Sequence, residues 1–162
     1  MRVLVSAASR HGSTTEIATR IAEILGRSQQ IAVVVAAPAD IDSLDGFDAY
    51  VIGSAVYMGR WLTDARELIH RLSGWTDHPV WLFSSGPIGD PPKPAEQTID
   101  VVDIVDATGA REHRYFAGAL RRDRLGFAER AVVAALHAPY GDFRDWDAID
   151  AWAANIATSL TT

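Results

Sequence analysis

The 162-residue chain contains no cysteine. This absence excludes disulfide bonds, a catalytic thiolate, iron–sulfur clusters held by thiolates and cysteine-type zinc sites. No side chain of the protein can cycle between thiol and disulfide. Any redox chemistry therefore has to come from a bound cofactor.

The chain also lacks an excess of basic residues and any long apolar run. Fifteen Lys and Arg residues stand against 21 Asp and Glu residues, which gives a formal net charge of −6. Nucleic-acid binding needs a basic face, so we expect no nucleic-acid partner. No apolar run approaches the roughly 20 residues of a membrane span, and the first strand begins too early to leave room for a signal peptide. We expect a cytoplasmic protein without a transmembrane segment.

Three common nucleotide and hydrolase motifs are missing as well. The dinucleotide fingerprint G-x-G-x-x-G and the phosphate loop that ends in Gly-Lys-Ser/Thr are both absent, which disfavours NAD-type dinucleotides and P-loop nucleotide hydrolysis. The G-x-S-x-G elbow is absent too, which disfavours a hydrolase triad. The histidines show no metal-like spacing, so no metal site is predicted.

What the sequence does contain is an alternation of apolar runs and helical periods. Strands are predicted at 3–6, 31–36, 48–54, 79–84 and 114–120, and helices at 16–25, 62–72, 94–107 and 146–160. Asp145 is the candidate N-cap of the last helix. Nearly continuous hydrophobicity is typical of strands that are covered on both faces. We therefore predict a single α/β domain over residues 1–162, with a doubly wound, five-stranded parallel sheet and helices on both faces.

In such sheets, ligands bind outside the carboxyl ends of the strands. The first loop at that edge offers hydroxyl groups around one glycine, followed by the start of a helix. Backbone amides at a helix start favour an anion, and the hydroxyl-rich loop suits a phosphate monoester. The alternative is that Ser13 and Glu16 form only a capping box. The candidate phosphate-binding residues are Ser9, Arg10, His11, Gly12, Ser13 and Thr14.

Two further loops are expected at the same edge of the sheet. The loop after the third strand carries two aromatic residues, Tyr57 and Trp61, and a planar ligand could lie against such a ring. The alternative is that Trp61 begins the next helix and packs in the core. The loop after the fourth strand offers backbone groups to the edge of a flavin, or is a simple turn. Their candidate binding residues are Ala55, Val56, Tyr57, Met58, Gly59, Ser85, Gly86, Pro87 and Ile88.

The stretch 121–144 is too long for a simple turn and is basic in an otherwise acidic protein. It contains arginines and an apolar stripe at helical spacing. Such a patch could dock an anionic partner, an anionic substrate or a membrane surface, so peripheral membrane contact through 121–144 is one hypothesis. The other is an ordinary loop with one packed helical turn.

Three segments of the sequence resemble known flavoproteins. They are residues 9–18 (SRHGSTTEIA), 52–59 (IGSAVYMG) and 115–120 (YFAGAL). Together with the loop arrangement they resemble the flavodoxins, and more specifically the flavodoxin-like, menaquinone-dependent protoporphyrinogen oxidases. The resemblance departs from electron-carrier flavodoxins in the third loop, where Pro87 and Ile88 replace an aromatic-plus-acidic pattern.

The resemblance implies the strand order 2-1-3-4-5, with FMN bound non-covalently. Its phosphate would lie at Ser9–Thr14 and its ring between the second and third loops. Electrons would pass from a small-molecule substrate to FMN and then to a quinone acceptor, and the insertion at about 121–144 would control access. Two alternatives stay open at this point: a non-enzymatic, flavodoxin-type electron carrier with a redox partner, and a flavodoxin-fold binding module without flavin.

Overall fold

A computed structural model describes residues 1–73, 77–86 and 100–162. The described strands are β1 (Arg2–Ala8), β2 (Ala32–Ala36), β3 (Ala49–Tyr57), β4 (Arg60–Trp61), β5 (Val80–Ser85), β6 (Glu112–Phe116), β7 (Ala119–Leu120) and β8 (Gly141–Asp142). The described helices are α1 (Ser13–Leu25), α2 (Thr63–Leu72), α3 (Val101–Thr108), α4 (Phe127–Ala135) and α5 (Trp146–Thr161).

The main sheet has the order β2-β1-β3-β5-β6, and all of these neighbours are parallel. Strand β4 adds two residues antiparallel to the end of β3. Counted without β4, the five parallel strands follow the order 2-1-3-4-5. The predicted doubly wound sheet is therefore confirmed.

The pairing register brings the carboxyl ends of four strands to one edge. Ala8 pairs with Ser54, and Ala55 pairs with Ser85. Ser85 in turn pairs with Phe116 at the end of β6. The loops that follow β1, β3, β5 and β6 consequently leave the sheet at neighbouring points, as a parallel sheet with right-handed crossovers requires.

Apolar residues cover both faces of the sheet. Helices α1 and α5 pack on one face, with Ile17, Ile21 and Trp152 buried against the strands. Helix α2 and helix α3 cover the other face. Because both faces are buried, the strands carry continuous apolar runs rather than alternating ones.

One glycine on β3 is required by the packing of the core. A Cβ atom at Gly53 would lie 2.1 Å from Cζ of Phe83 on the neighbouring strand. The Phe83 ring also packs edge-on against Trp152, with 6.1 Å between ring centroids. The absence of a side chain at position 53 therefore makes room for the Phe83 ring and its contact with Trp152.

The prediction of one continuous strand over 114–120 is wrong. Strand β6 ends at Phe116, and the chain leaves the sheet at Ala117 and Gly118. These two residues have little side chain to bury, so they do not hold the chain on the sheet. The next residues form β7, which pairs antiparallel with β8 in a separate two-stranded sheet. For the predicted helix 94–107, residues 94–99 lie outside the described part, and α3 begins at Val101.

The insertion predicted at about 121–144 is longer in the structure. Residues 117–145 leave the main sheet at its carboxyl edge, and the name is used for this whole segment from here on. It runs through β7, a short 3-10 turn at Arg122–Arg124, α4 and β8 before α5 begins. Asp145 caps α5, since its carboxylate accepts a hydrogen bond from the Ala148 amide at 3.0 Å. This is the predicted cap. Within the described ranges, no helix is long and apolar enough to cross a membrane.

Candidate functional site

The loop between β1 and α1 forms a turn of backbone donors. Gly12 has φ +90° at the N-cap of α1, a conformation that favours glycine. The amides of Gly12 and Thr14 both donate to the Ser9 hydroxyl oxygen, at 3.0 and 3.3 Å. Two amides that converge on one oxygen, next to the positive end of a helix, are suited to an anion.

The alternative of a capping box at the start of α1 is wrong. The helix begins at Ser13, and its N-cap, Gly12, has no side chain. The Ser13 hydroxyl instead accepts a hydrogen bond from the Ala119 amide at 3.1 Å. Glu16 pairs with Arg121 and Arg144 of the insertion. Ser13 and Glu16, the two residues of the expected capping box, thus bind the insertion to the start of α1.

A cavity of about 190 Å³ lies at the carboxyl edge and brings residues of all three predicted loops together. Its volume is below the usual 300–1,000 Å³ of small-molecule pockets. Residues of the insertion line one side of it. Ten of the predicted site residues line it: Ser9, Arg10, His11, Ser13, Thr14, Ala55, Val56, Tyr57, Ser85 and Gly86.

Other predicted residues lie elsewhere. Met58 and Gly59 form the tight turn between β3 and β4, with φ +50° and +72°. Positive φ at both central residues is typical of a hairpin whose strands twist right-handedly. Met58 is 96% exposed, and neither residue lines the cavity. Pro87 and Ile88 lie outside the described residues.

Sequence reasoning missed the wall that the insertion contributes. This wall follows β6, the fifth parallel strand, yet the prediction considered only the loops after the first, third and fourth strands. The same rule about carboxyl ends would have indicated it, had the strand been ended at Phe116. The missed lining residues are Gly118, Ala119, Leu120, Arg121 and Leu125.

Helix α4 reaches the phosphate loop through one carboxylate. Oε1 of Glu129 lies 3.0 Å from Nε2 of His11 and 3.2 Å from Nε of Arg10. The other oxygen of Glu129 accepts from the Gly126 amide at 2.9 Å, and this bond is the largest cause of a Glu129 pKa below its ordinary value. The Arg10 guanidinium also lies 5.3 Å from the centre of the Tyr57 ring. Arg10 and His11 of the loop are thus already in contact with Glu129 of the insertion.

A buried arginine ties the base of the insertion to α1. The side chain of Arg144 is 1% exposed and donates to Glu16 at 2.7 Å and to Asp142. Its hydrogen bonds are the main reason that the pKa of Asp142 is lowered. Burial raises the pKa of Glu16, but hydrogen bonds and charge from Arg144 and Arg121 together outweigh it, so that pKa is lowered too. The base of the insertion is therefore held by charge rather than by apolar packing.

A chain of side-chain hydrogen bonds connects β4, β5 and β6. The Trp61 indole N–H donates to the Ser84 hydroxyl at 2.8 Å, and Ser84 is also bonded to Nε2 of His113 at 2.8 Å. Trp61 is 2% exposed and packs in the core, so it is not a ring-stacking residue. Burial lowers the pKa of His113 to about 4, so its imidazole is neutral at pH 7.

The sequence matches a known protein family. The profile of the family described as flavodoxin domain matches residues 4–147. The chain belongs to the flavodoxin domain family. Membership indicates FMN as the cofactor. Comparison with curated protein sequences gives no significant match.

Solved structures agree with this family on the fold. A flavodoxin from the domain Archaea superposes with a TM-score of 0.68 at 15% identity, and the match covers 100% of both chains. A flavodoxin variant from Pseudomonas aeruginosa gives 0.66 at 16% identity with the same coverage. The flavodiiron core from Synechocystis gives 0.66 at 14% identity, with 99% of this chain matching 36% of that one.

The donor set of this flavodoxin domain fits FMN. Amides and hydroxyls converge at the start of α1, where a phosphate would be held. An aromatic ring, Tyr57, and two leucines from the insertion, Leu120 and Leu125, line the same cavity. A charged end and an apolar, aromatic wall match a ligand with a phosphate and a planar ring.

Proposed function

We propose that this flavodoxin domain is an FMN-dependent oxidoreductase that takes electrons from a small-molecule substrate and passes them to a second acceptor. The observation that carries this proposal is the wall of the cavity built by Gly118, Ala119, Leu120, Arg121 and Leu125. A wall of this kind restricts what reaches the planar part of the ligand. Such restriction is useful to an enzyme that selects a substrate.

In its finer form, the proposal is a protoporphyrinogen oxidase type of activity with a quinone as acceptor. Support comes from the resemblance of residues 9–18, 52–59 and 115–120 and from the basic insertion that follows the last of them. The insertion also exposes Phe127, Val132 and Leu136 beside its arginines. Peripheral membrane contact through 121–144 would bring the site close to a lipid-soluble quinone.

The roles of the chain's own residues follow from their positions. The phosphate would replace the Ser9 hydroxyl oxygen as the acceptor of the Gly12 and Thr14 amides. The hydroxyls of Ser9, Ser13 and Thr14 would donate to it as well. Tyr57 would lie against the ring. When bound, FMN supplies the group that accepts and releases electrons, and the protein supplies binding and tuning. No side chain is assigned as a proton donor or acceptor.

The second candidate is a non-enzymatic electron carrier. It is favoured by the net charge of −6, since an acidic surface steers a basic redox partner. The full-length match to flavodoxins supports the same candidate. In this case the insertion would shape a protein-docking surface rather than a substrate entrance.

Two measurements separate these candidates. Purified protein that is colourless, and stays so after incubation with FMN, would contradict both of them and leave a binding module without flavin. If FMN binds, we expect the protein to oxidise protoporphyrinogen with a quinone acceptor. Reduction and reoxidation of bound FMN without that turnover would favour the carrier.

A substitution in the loop tests the placement of the phosphate. Thr14→Val removes one buried hydroxyl at the start of α1. We expect weaker FMN binding by about 1.5–3 kcal/mol, the contribution of a hydrogen bond to a charged group. Riboflavin has no phosphate, so its affinity should change much less. Equal losses for both ligands, measured by fluorescence titration, would show that the phosphate is not held here.

A further inference from the structure

The 3-10 turn Arg122–Arg124 of the insertion lies against the phosphate loop. Nη1 of Arg124 lies 3.6 Å from the place that a Cβ atom would take on Gly12. The same side chain lines a narrow pocket with His11, Ser13, Ala119 and Arg121. A guanidinium of the insertion is therefore placed directly beside the backbone donors at the start of α1.

The backbone around Arg124 is fixed from both sides. The Arg124 amide donates to the Arg121 carbonyl at 3.1 Å, and the Leu125 amide donates to the Arg122 carbonyl at 3.3 Å. The Leu125 side chain is buried and lines the site cavity. Upstream, the Ala119 amide is bonded to the Ser13 hydroxyl of the loop itself. The position of Arg124 over the loop is thus anchored on each side in sequence.

Charge pairing distinguishes Arg124 from the other cations around the loop. Arg10 and His11 share Glu129, whereas Arg121 and Arg144 share Glu16 and lie within 4.0 Å of Asp142. Across residues 1–73, 77–86 and 100–162, the structure records no carboxylate within ion-pair distance of Arg124. Among these residues, the carboxylates around the loop contact Arg10, His11, Arg121 and Arg144, and the charge of Arg124 is not balanced by an acidic neighbour.

We infer that Arg124 is a direct cationic ligand of the FMN phosphate, supplied by the insertion rather than by the loop between β1 and α1. This inference rests on the proposed function, because it takes the phosphate to lie at Ser9–Thr14. A phosphate monoester carries a charge of about −1.5 to −2 near neutrality, and an arginine fork matches its geometry. Arg124 thereby selects FMN over riboflavin and couples the position of the insertion to cofactor binding.

The test compares Arg124→Gln with a matched control in the same 3-10 turn. Arg122→Gln removes one positive charge two residues away, from a side chain that does not line the narrow pocket beside Gly12 to which Arg124 contributes. Dissociation constants for FMN and riboflavin are measured by fluorescence titration on the apoprotein. For Arg124→Gln we expect FMN affinity to fall about tenfold, the lower end for a charge-assisted hydrogen bond, since the side chain is exposed. Riboflavin affinity should change less than twofold.

Two further measurements complete the design. Arg124→Lys should recover part of the loss, because it restores the charge without the two-pronged geometry. Raising the salt concentration should narrow the gap between wild type and Arg124→Gln, because it screens an exposed charge. Thermal unfolding of each variant checks that the fold is retained.

The outcomes are distinguishable. If the wild type binds FMN and Arg124→Gln loses no more affinity than Arg122→Gln, the inference is overturned while the proposed function stands. The inference is also overturned if riboflavin binding falls as far as FMN binding. A wild type that does not bind FMN would overturn the proposed function itself. A selective loss for FMN in Arg124→Gln alone would establish the ligand.

Discussion

The parallel sheet and the insertion are stabilised by different interactions. On the sheet, β1, β3 and β5 are almost entirely buried between two apolar layers. In the insertion, α4 has no buried residue, and Phe127 is 91% exposed. What fixes the insertion is a set of ion pairs and backbone hydrogen bonds to α1 and its loop. Regions with few buried apolar contacts open at low free-energy cost, so we expect the sheet to act as the rigid wall of the site and the insertion as the wall that opens more readily.

The largest effect is expected in the rigid wall. Gly53→Ala would place a methyl group inside the Phe83 ring, and neither β3 nor β5 can shift between its neighbours. We expect a loss of about 3 kcal/mol in the free energy of unfolding, at the upper end for overpacking. Urea denaturation measures it. Adding Phe83→Leu should recover part of the loss, and an unchanged midpoint for the single variant would contradict the packing described.

The second effect tests the base of the insertion. Arg144→Met keeps the buried stem but removes the guanidinium that pairs with Glu16 and Asp142. These carboxylates are half-exposed and can be hydrated, so we expect a loss of about 2 kcal/mol, below the range for a fully buried pair. Arg20→Met is the control, since its pair with Asp150 is more exposed and its removal should lower stability clearly less. Equal losses would mean that burial of Arg144 has no special role.

The third prediction concerns the pH dependence of stability that His113, on strand β6 of the sheet, produces. The pKa of His113 is about 4 in the folded protein and about 6.5 when unfolded. The unfolded state therefore binds more protons between these values. The stabilising contribution of neutral His113 is complete above pH 6.5 and is lost as the pH falls towards 4.

Carboxylates whose pKa is lowered in the folded protein, such as Glu16 and Asp142, also make the protein less stable in acid. Comparing the wild type with His113→Gln separates the contribution of His113 from theirs. The wild type should lose about 1 kcal/mol more than the variant between pH 7 and pH 4, allowing for partial exposure of the ring. Denaturation curves at both pH values give the difference. Parallel pH profiles for the two proteins would show that His113 is not shielded as described.

The smallest effect concerns the movable wall. Glu129→Gln removes the carboxylate that engages Arg10 and His11. Both side chains would then be available to a phosphate, and the negative charge of Glu129 would no longer repel it. We expect FMN affinity to rise about threefold, in keeping with the weak coupling of exposed charges, with little change for riboflavin. Weaker FMN binding in this variant would contradict the prediction. It would mean that Glu129 favours FMN binding, by holding the insertion in place, more than its charge disfavours it.

Sequence alone predicted the sheet and the loop after β1, because both depend on local patterns. The apolar run 3–6, the single glycine at position 12 and the helical period that follows all lie within about 25 residues. The placement of FMN at these residues stays a prediction. The third loop is untested in part, since Pro87 and Ile88 lie outside the described residues.

The insertion could not be predicted in the same way. Ala119 and Ser13 are separated by 106 residues, and Arg144 and Glu16 by 128. No period or short motif encodes such pairs, and Ser13 and Glu16 read locally as a capping box. The strand prediction over 114–120 failed for a related reason: the apolar run continues past Phe116 in the sequence, and only the pairing of β7 with β8 shows that the chain has left the sheet.

The hydrogen bond between Ala119 and Ser13 has a kinetic consequence. It joins the insertion to the residue that begins α1, so we expect a ligand held at the loop to leave faster when the insertion is loosened. Cofactor release would then be governed by the breaking of ion pairs, and its rate should rise with salt even where the equilibrium affinity changes little. The stability of the insertion would then set the rate of cofactor exchange.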